Sequence, residues 1–450
     1  MIKLIFDKKY SALSRVSKIW KWANDNPIKT IIIVGLLIRL LVSALYQHIT
    51  LYPDSLDYIS LAERLSDFKL NGYEGERSPG YPLLICLTGF SEIVMAIIQS
   101  LIGICTLILV YKTILSAGVK KNYSLAITLL LSCYLPTIFF EVTLLTETIT
   151  LFIISVIFYL FLKLTKNKES LFSAFVWLAL LCGYLVLIKP FYIFLPFLLT
   201  IILLCQKNRI KTIWIKSMIF LLIPSFAFLG WSYLNLVNTG YFVSSTYYGF
   251  NLAQNCVSFA EKTSPEYAEI GEIYARYRDN SISDKEIAMT IWDAYPELTE
   301  KTGLSLPDLS KKLYNYSIAT IKENPEAYMR QVFLSWCDFW KTSLYWESYN
   351  FGVPQASQIT LYICYVERIL LQLVKILFVL LIPFNIACCI RKREITPQLT
   401  ISLIVLTASI LQAFATYGTN SRYSFPFEMF IVISVVLNSI QYMEYKKQTA

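Results

Sequence analysis

Stretches of roughly twenty mostly apolar residues recur along this chain, and they determine its surroundings before any motif can be read. A helix that crosses a bilayer needs about 20 such residues, and in hydrocarbon every backbone N–H and C=O must be paired within the protein. Ten stretches qualify, near 30–48, 92–112, 124–140, 143–162, 171–188, 191–205, 213–234, 358–388, 398–416 and 423–441. The sixth is short, and the eighth is long enough to be tilted or broken. The pattern predicts an all-α, polytopic membrane protein with about 10 transmembrane helices, or about 11–13 where a boundary error splits a run. Composition agrees: 56% of the 450 residues are hydrophobic and 16% charged, against about 45–50% and about 25% in soluble domains.

The net charge of +9 does not describe a nucleic-acid-binding face, because the basic residues sit in short loops between the apolar runs. Lys and Arg gather on cytoplasmic loops. A cytoplasmic N-terminus puts 1–29, 112–123, 163–170, 206–212, 389–397 and 442–450 inside, and these hold 21 Lys or Arg. The short loops on the other side, around 141, 189 and 420, hold only Lys189 and Arg422. Both termini are therefore expected in the cytoplasm. The expected organisation is a cytoplasmic segment 1–29, a transmembrane module 30–234 that includes a first extracytoplasmic loop 49–91, an extracytoplasmic helical insert 235–356, and C-terminal transmembrane helices 357–450. Within the insert, Ser283 and Glu286 have capping-box spacing, and Asn324-Pro325 reads as an N-cap followed by proline at the first helical position. Trp336, Phe339, Trp340, Tyr345 and Trp346 suit a domain resting on the membrane surface. A basic N-terminus without a small-residue cleavage site predicts no removable signal peptide.

Several chemistries are excluded. A lone histidine, His48, rules out a multi-histidine metal site, and no phosphate-cradling glycine loop or nucleophile elbow is present. The ten cysteines lack metal-ligand spacing. Cys256 and Cys337 both fall in the insert, and their spacing leaves a disulfide open. No metal and no cofactor are expected.

The polar residues that remain are few and lie at one membrane face. Pro53 stops the first span, and Asp54 is expected to cap a helix running to about Leu65, with Asp54, Asp57, Tyr58 and Leu61 on one face. Arg77-Ser78-Pro79-Gly80-Tyr81-Pro82 then returns the chain to the membrane. Glu147 falls about one turn inside the fourth span, where a charge costs roughly 2.5–3.5 kcal/mol at mid-bilayer and so usually faces a cavity or partner. Glu141 reads as a solvated loop residue. Lys189-Pro190 and Arg422-Tyr423 sit at the same face, against the positive-inside bias; reaching headgroups is the alternative role for both cations. Carboxylates and cations together are what transfer from a lipid phosphate needs. A carboxylate takes the proton of the attacking hydroxyl, and cations stabilise the departing phosphate.

In order and spacing these residues resemble the GT-C glycosyltransferases, and most nearly the branch of bacterial protein O-mannosyltransferases and the lipid A aminoarabinose transferase. The resemblance rests on Asp54-x-x-x-Tyr58-x-x-x-Ala62, Arg77-x-Pro79-x-Tyr81-Pro82, and Pro136 with Leu144-Leu145-Thr146-Glu147. It continues through Ile188-Lys189-Pro190 with Pro196, Asn324-Pro325-Glu326-Ala327-Tyr328, and Arg422-Tyr423-x-x-Pro426. It implies a GT-C-like fold and a transferase of the bacterial cytoplasmic membrane. Such an enzyme takes a sugar from a polyprenyl-phosphate donor on the outer face and passes it to a glycan, lipid or protein. Carried over by position, Asp54 is the base and Glu147 the second carboxylate. Lys189 and Arg422 hold the donor phosphate, with Arg77 as a third cation and Tyr58, Tyr81 and Tyr423 lining the substrate. Many relatives have a second acid directly after the first; here that position is Ser55, which leaves Asp57 to share the work. Two other functions fit the same topology: a polymerase or ligase of lipid-linked glycans, and a glycolipid flippase or transporter. The latter would use charges within spans, here Arg39, Lys216, Glu367, Arg368 and Lys375.

Overall fold

Hydrocarbon offers a backbone no water to bond, so the apolar runs become helices. A computed structural model describes residues 17–166, 172–206, 210–342, 347, 350–418 and 420–449. The first sixteen residues of the expected cytoplasmic segment, and Tyr345 and Trp346, lie outside the described residues. The chain runs as α1 (Pro27–Leu45), α2 (Pro53–Ser66), α3 (Gly80–Leu87), α4 (Glu92–Ser116), α5 (Lys121–Ser132), α6 (Leu135–Glu141), α7 (Glu147–Lys166) and α8 (Phe172–Ile188). A 3-10 turn, Pro190–Ile193, leads into α9 (Phe194–Cys205) and α10 (Ile210–Thr239). The insert contributes α11 (Tyr248–Gln254), α12 (Ala268–Asp279), α13 (Asp284–Asp293), α14 (Tyr295–Thr302), α15 (Leu306–Glu323) and α16 (Pro325–Trp340). The chain then continues through α17 (Pro354–Lys392), α18 (Pro397–Ala415), the short α19 (Asn420–Ser424), a 3-10 turn Phe425–Phe427 and α20 (Glu428–Thr449). Among the described residues there are no β-strands, only isolated bridges such as Thr50 with Thr143.

This is an all-α polytopic membrane protein. Among the described residues seven helices are long and apolar enough to cross a bilayer, and α5 with α6, bent by 59°, counts as an eighth when the pair is taken as one span. The sequence reads 124–140 as one straight run; the bend falls just before Pro136, which lacks an N–H and whose ring would clash with the Ser132 carbonyl if one helix ran through. The remaining two apolar runs, α8 and α9, are helical but shorter. The long eighth run is a single helix of 39 residues that carries Pro383 inside it.

Three of the charges within the apolar runs, Arg39, Glu367 and Lys375, have partners on neighbouring segments. Arg39 donates to both carboxylate oxygens of Glu141, at 2.7 Å from Nε and 2.5 Å from Nη2. Glu141 is wholly buried, so the expectation of a solvated loop residue is wrong: it ends α6 and faces α1. Gly103 on α4 makes room for this pair, since a Cβ there would lie 1.9 Å from Glu141 Oε1. Lys375, also wholly buried, donates to Glu428 at 2.8 Å, and the Tyr134 hydroxyl donates to the other oxygen of that carboxylate at 2.7 Å. Glu367 accepts from the Leu135 N–H at 3.1 Å. Each pair joins two or three helices, as buried charges must if they are to persist in a membrane.

The insert has an apolar core of its own, with Phe250, Tyr274, Leu309, Leu313 and Tyr316 fully buried. Cys256 lies in that core, and both Cys256 and Cys337 are free thiols. Ser283 caps α13 through the Glu286 N–H at 3.3 Å, while the Glu286 carboxylate reaches back to the Ile282 N–H at 2.8 Å rather than to that of Ser283. Pro325 takes the first position of α16, but the Asn324 side chain does not cap it. Its amide instead donates to Lys262 and Thr320 carbonyls.

Candidate functional site

The site is assembled at one end of the helical bundle from five separate segments. The first is the opening turn of α2. Its cap is not Asp54: the Ser55 hydroxyl accepts from the Tyr52 N–H at 3.0 Å, Pro53 takes the first helical position, and Asp54 follows. The expected capping role is thus filled by a neighbour, and the Asp54 carboxylate is released for other partners. Ser55 also donates to the Leu144 carbonyl at 2.8 Å. Together with the Thr50–Thr143 bridge this ties α2 to the strip that leads into Glu147.

Glu147 is the first residue of α7 and not one turn inside a span, yet it is fully buried. Its Oε1 accepts from Lys189 Nζ at 2.9 Å and from Arg422 Nε at 2.7 Å. Arg422 Nη1 also donates to Asp54 Oδ2 at 2.7 Å. The opposite oxygen, Asp54 Oδ1, accepts from Arg77 Nη2 at 2.6 Å. Arg77 completes the set by donating twice to Asp57 Oδ2, from Nη2 at 2.9 Å and Nε at 3.1 Å. All six charged residues expected from the sequence therefore meet in one connected network. The cations do not reach outward as headgroup anchors, since the side chains of Lys189 and Arg422 are 12% and 13% exposed.

Aromatic rings hold the network in place. Arg77 lies between Tyr58 and Tyr247, 5.2 and 4.9 Å from the ring centres, within the range of an attractive cation–π contact. Tyr58 packs edge-on against Tyr81, whose hydroxyl donates to Gln99 at 2.9 Å. Tyr423 offers its ring to Lys189 at 5.2 Å. Burial pushes the Tyr58 hydroxyl up to about 12, so the ring remains neutral and serves Arg77 as a face.

Electrostatics set the state of Asp54. Burial pushes its carboxyl up, but the Arg422 and Arg77 guanidiniums overrule burial and hold it well below the usual carboxylate range. Asp54 is therefore fully ionised and both of its oxygens are occupied. Two hydroxyls close in sequence to the cations, Ser78 Oγ and Tyr192 OH, are buried without a hydrogen-bond partner. Among the described residues no group of three His, Cys, Asp or Glu could hold a metal ion.

Sequence reasoning missed Tyr247. It comes from the insert, donates to Asp57 at 3.1 Å, and packs edge-on against Trp292 at 4.8 Å. Its partner across the insert lies 45 residues on, so no local spacing signals the contact. Gly80 carries a different constraint. A Cβ there would lie 2.7 Å from the backbone of Leu187 and Ile188, so only glycine lets the Arg77 strip lie against the end of α8 beside Lys189. Overpacking of this kind costs about 1–3 kcal/mol. Gly80→Ala is expected to lower the thermal midpoint accordingly, whereas Gly89→Ala, where a Cβ meets nothing within 4 Å, tests the backbone effect of losing a glycine alone.

Fold and site together define a multi-pass, all-helical membrane protein with a partly buried carboxylate–cation network at one end. No family model matches the chain, and no curated protein matches it. Two solved structures are similar in outline. One is the archaeal oligosaccharyltransferase AglB from Archaeoglobus fulgidus, in complex with an inhibitory peptide and a dolichol-phosphate. It is 10% identical with a TM-score of 0.47, over 95% of this chain and 52% of that one. The other is ArnT from Cupriavidus metallidurans bound to undecaprenyl phosphate, 12% identical with a TM-score of 0.35, over 91% of this chain and 77% of that one. The present chain thus spans about half the length of the archaeal enzyme.

Proposed function

We propose that the protein is a glycosyltransferase that moves a sugar from a polyprenyl-phosphate donor to an acceptor hydroxyl on the extracytoplasmic side, by single displacement with inversion. The observation that carries this reading is the convergence of Asp54, Asp57 and Glu147 with Arg77, Lys189 and Arg422 from distant segments into one network. Transfer from a lipid phosphate needs a carboxylate to accept the acceptor's proton and fixed cations to hold the leaving phosphate. The motif resemblance to GT-C transferases leads to the same assignment. Asp54 is the base, Lys189 and Arg422 bind the phosphate, Arg77 orients Asp54 and Asp57, and Glu147 holds the two phosphate-binding cations in place. The acceptor, whether glycan, lipid or protein, approaches from the side of the insert.

Fixed cations at the phosphate also make a metal unnecessary. Purified protein given donor and acceptor should keep its rate in excess chelator; collapse in chelator with rescue by magnesium or manganese would make the carboxylates metal ligands instead. Orientation is tested separately. A reporter active only outside the cytoplasm should be active when fused near residue 75 or 290 and silent near 118 or 393, because the basic loops face inward; the reverse pattern would put the site on the wrong side. The reaction itself is tested by replacing Lys189 or Arg422 with Met, which should weaken donor binding as well as turnover.

A further inference from the structure

This inference rests on the reading just given and concerns how the site becomes active. Three carboxylates face three cations, so the formal charge of the network is zero, and each of the six residues is already in an ion pair. A neutral, fully paired site has no surplus positive charge for a phosphate. Its base is also occupied, with one Asp54 oxygen on Arg77 and the other on Arg422. A single exchange resolves both problems. We propose that the donor phosphate draws Arg422 away from Asp54, so that Asp54 becomes a usable base only once the donor is seated.

The geometry selects Arg422 as the residue that exchanges. Arg77 is packed between two rings, holds Asp57 with two N–H groups, and has its own carbonyl accepting from the Tyr73 hydroxyl at 2.6 Å. Arg422 instead bridges two carboxylates on different helices, with one N–H to each, and sits on a helix of only five residues. When it leaves, Glu147 keeps Lys189, so no buried charge is stranded. Lys189 has three N–H donors, of which one is used on Glu147, and it can serve the phosphate beside Arg422. Two anions then compete for one guanidinium, and a phosphate offers it a bidentate fork.

The step balances. The acceptor hydroxyl gives its proton to Asp54 Oδ2, and its oxygen bonds to the anomeric carbon. The bond from that carbon to the phosphate oxygen breaks, and the electron pair leaves on the phosphate facing Arg422 and Lys189. Before the donor arrives, the same guanidinium keeps the base idle, so the exchange also guards the free site against unproductive proton transfer.

The charged and titratable groups facing Asp54 come from every packed element. They are Asp57 and Tyr58 on α2, Arg77 on the returning strip, Glu147 on α7, Lys189 after α8, and Arg422 with Tyr423 on α19. Only Arg77 and Arg422 touch Asp54 among the contacts above, so removing one changes its proton affinity most.

The test uses the full chain in lipid nanodiscs and farnesyl phosphate, which carries the phosphate and an isoprenoid but no sugar. Infrared difference spectra recorded against pH give the protonation midpoint of the carboxyl band that Asp54→Asn removes. Farnesyl phosphate should raise this midpoint by about one unit or more, a tenfold gain in proton affinity. In Arg422→Met the midpoint should already be raised without ligand and should move little when ligand is added, which gives a second reading should Asp54→Asn fold poorly. If farnesyl phosphate binds and the wild-type midpoint stays or falls, the exchange is wrong while the lipid-phosphate site stands. If it does not bind at all, the site has been misread and the exchange falls with it.

Discussion

Asp54→Asn is expected to leave a folded protein that transfers sugar about 10²–10⁴-fold more slowly, the usual contribution of a general base. The substitution keeps the shape of the side chain and one acceptor oxygen for a guanidinium. The cap of α2 is unaffected, because it is made by Ser55 and not by Asp54. Thermal stability should therefore change far less than rate. Asp57→Asn is the control on the same helix. It loses charge toward Arg77 and Tyr247 but touches neither phosphate-binding cation, so its effect should be milder. Near-normal turnover in Asp54→Asn with a dead Asp57→Asn would move the base to Asp57.

The second large effect concerns stability. Arg39→Met should destabilise the protein by about 3–5 kcal/mol, because it leaves the Glu141 carboxylate buried without its cation. Replacing both, Arg39→Met with Glu141→Met, should recover most of the loss, since a buried ion pair exchanged for apolar groups is often neutral or better. Unfolding midpoints of the two variants in detergent check this directly. Equal losses in the single and double variants would show that the pair matters through packing around Gly103 rather than through charge.

Much of this arrangement could be read from the sequence because membranes make polar residues expensive. Lys189, Arg422 and Glu147 stand out as charges at apolar boundaries, and Asp54, Asp57 and Tyr58 as one face of a helix; the structure brings them together. The orientation of the chain and the roles of these residues belong to the proposal above. Glu141 reads as solvated because it lies at a boundary, whereas the bend ahead of Pro136 sets it against Arg39. Asp54 was expected to cap because cap preference is local, whereas Ser55, two positions further in from Tyr52 than Pro53, does so across the same turn. Tyr247 gave no signal, since its position depends on how the insert folds back over the Arg77 strip, with Ser245 donating to the Glu76 carbonyl and the Thr246 N–H to that of Gly75. Contacts across such distances leave no periodicity to read.

The most direct measurement offers the reconstituted protein polyprenyl-monophosphate sugars one at a time, with a cell-envelope acceptor fraction, and follows release of free polyprenyl monophosphate. The account predicts release from one donor, dependent on acceptor, tied to inversion at the anomeric carbon, and lost in Asp54→Asn. Release of polyprenyl pyrophosphate from a lipid-linked oligosaccharide, undiminished in Asp54→Asn, would contradict it.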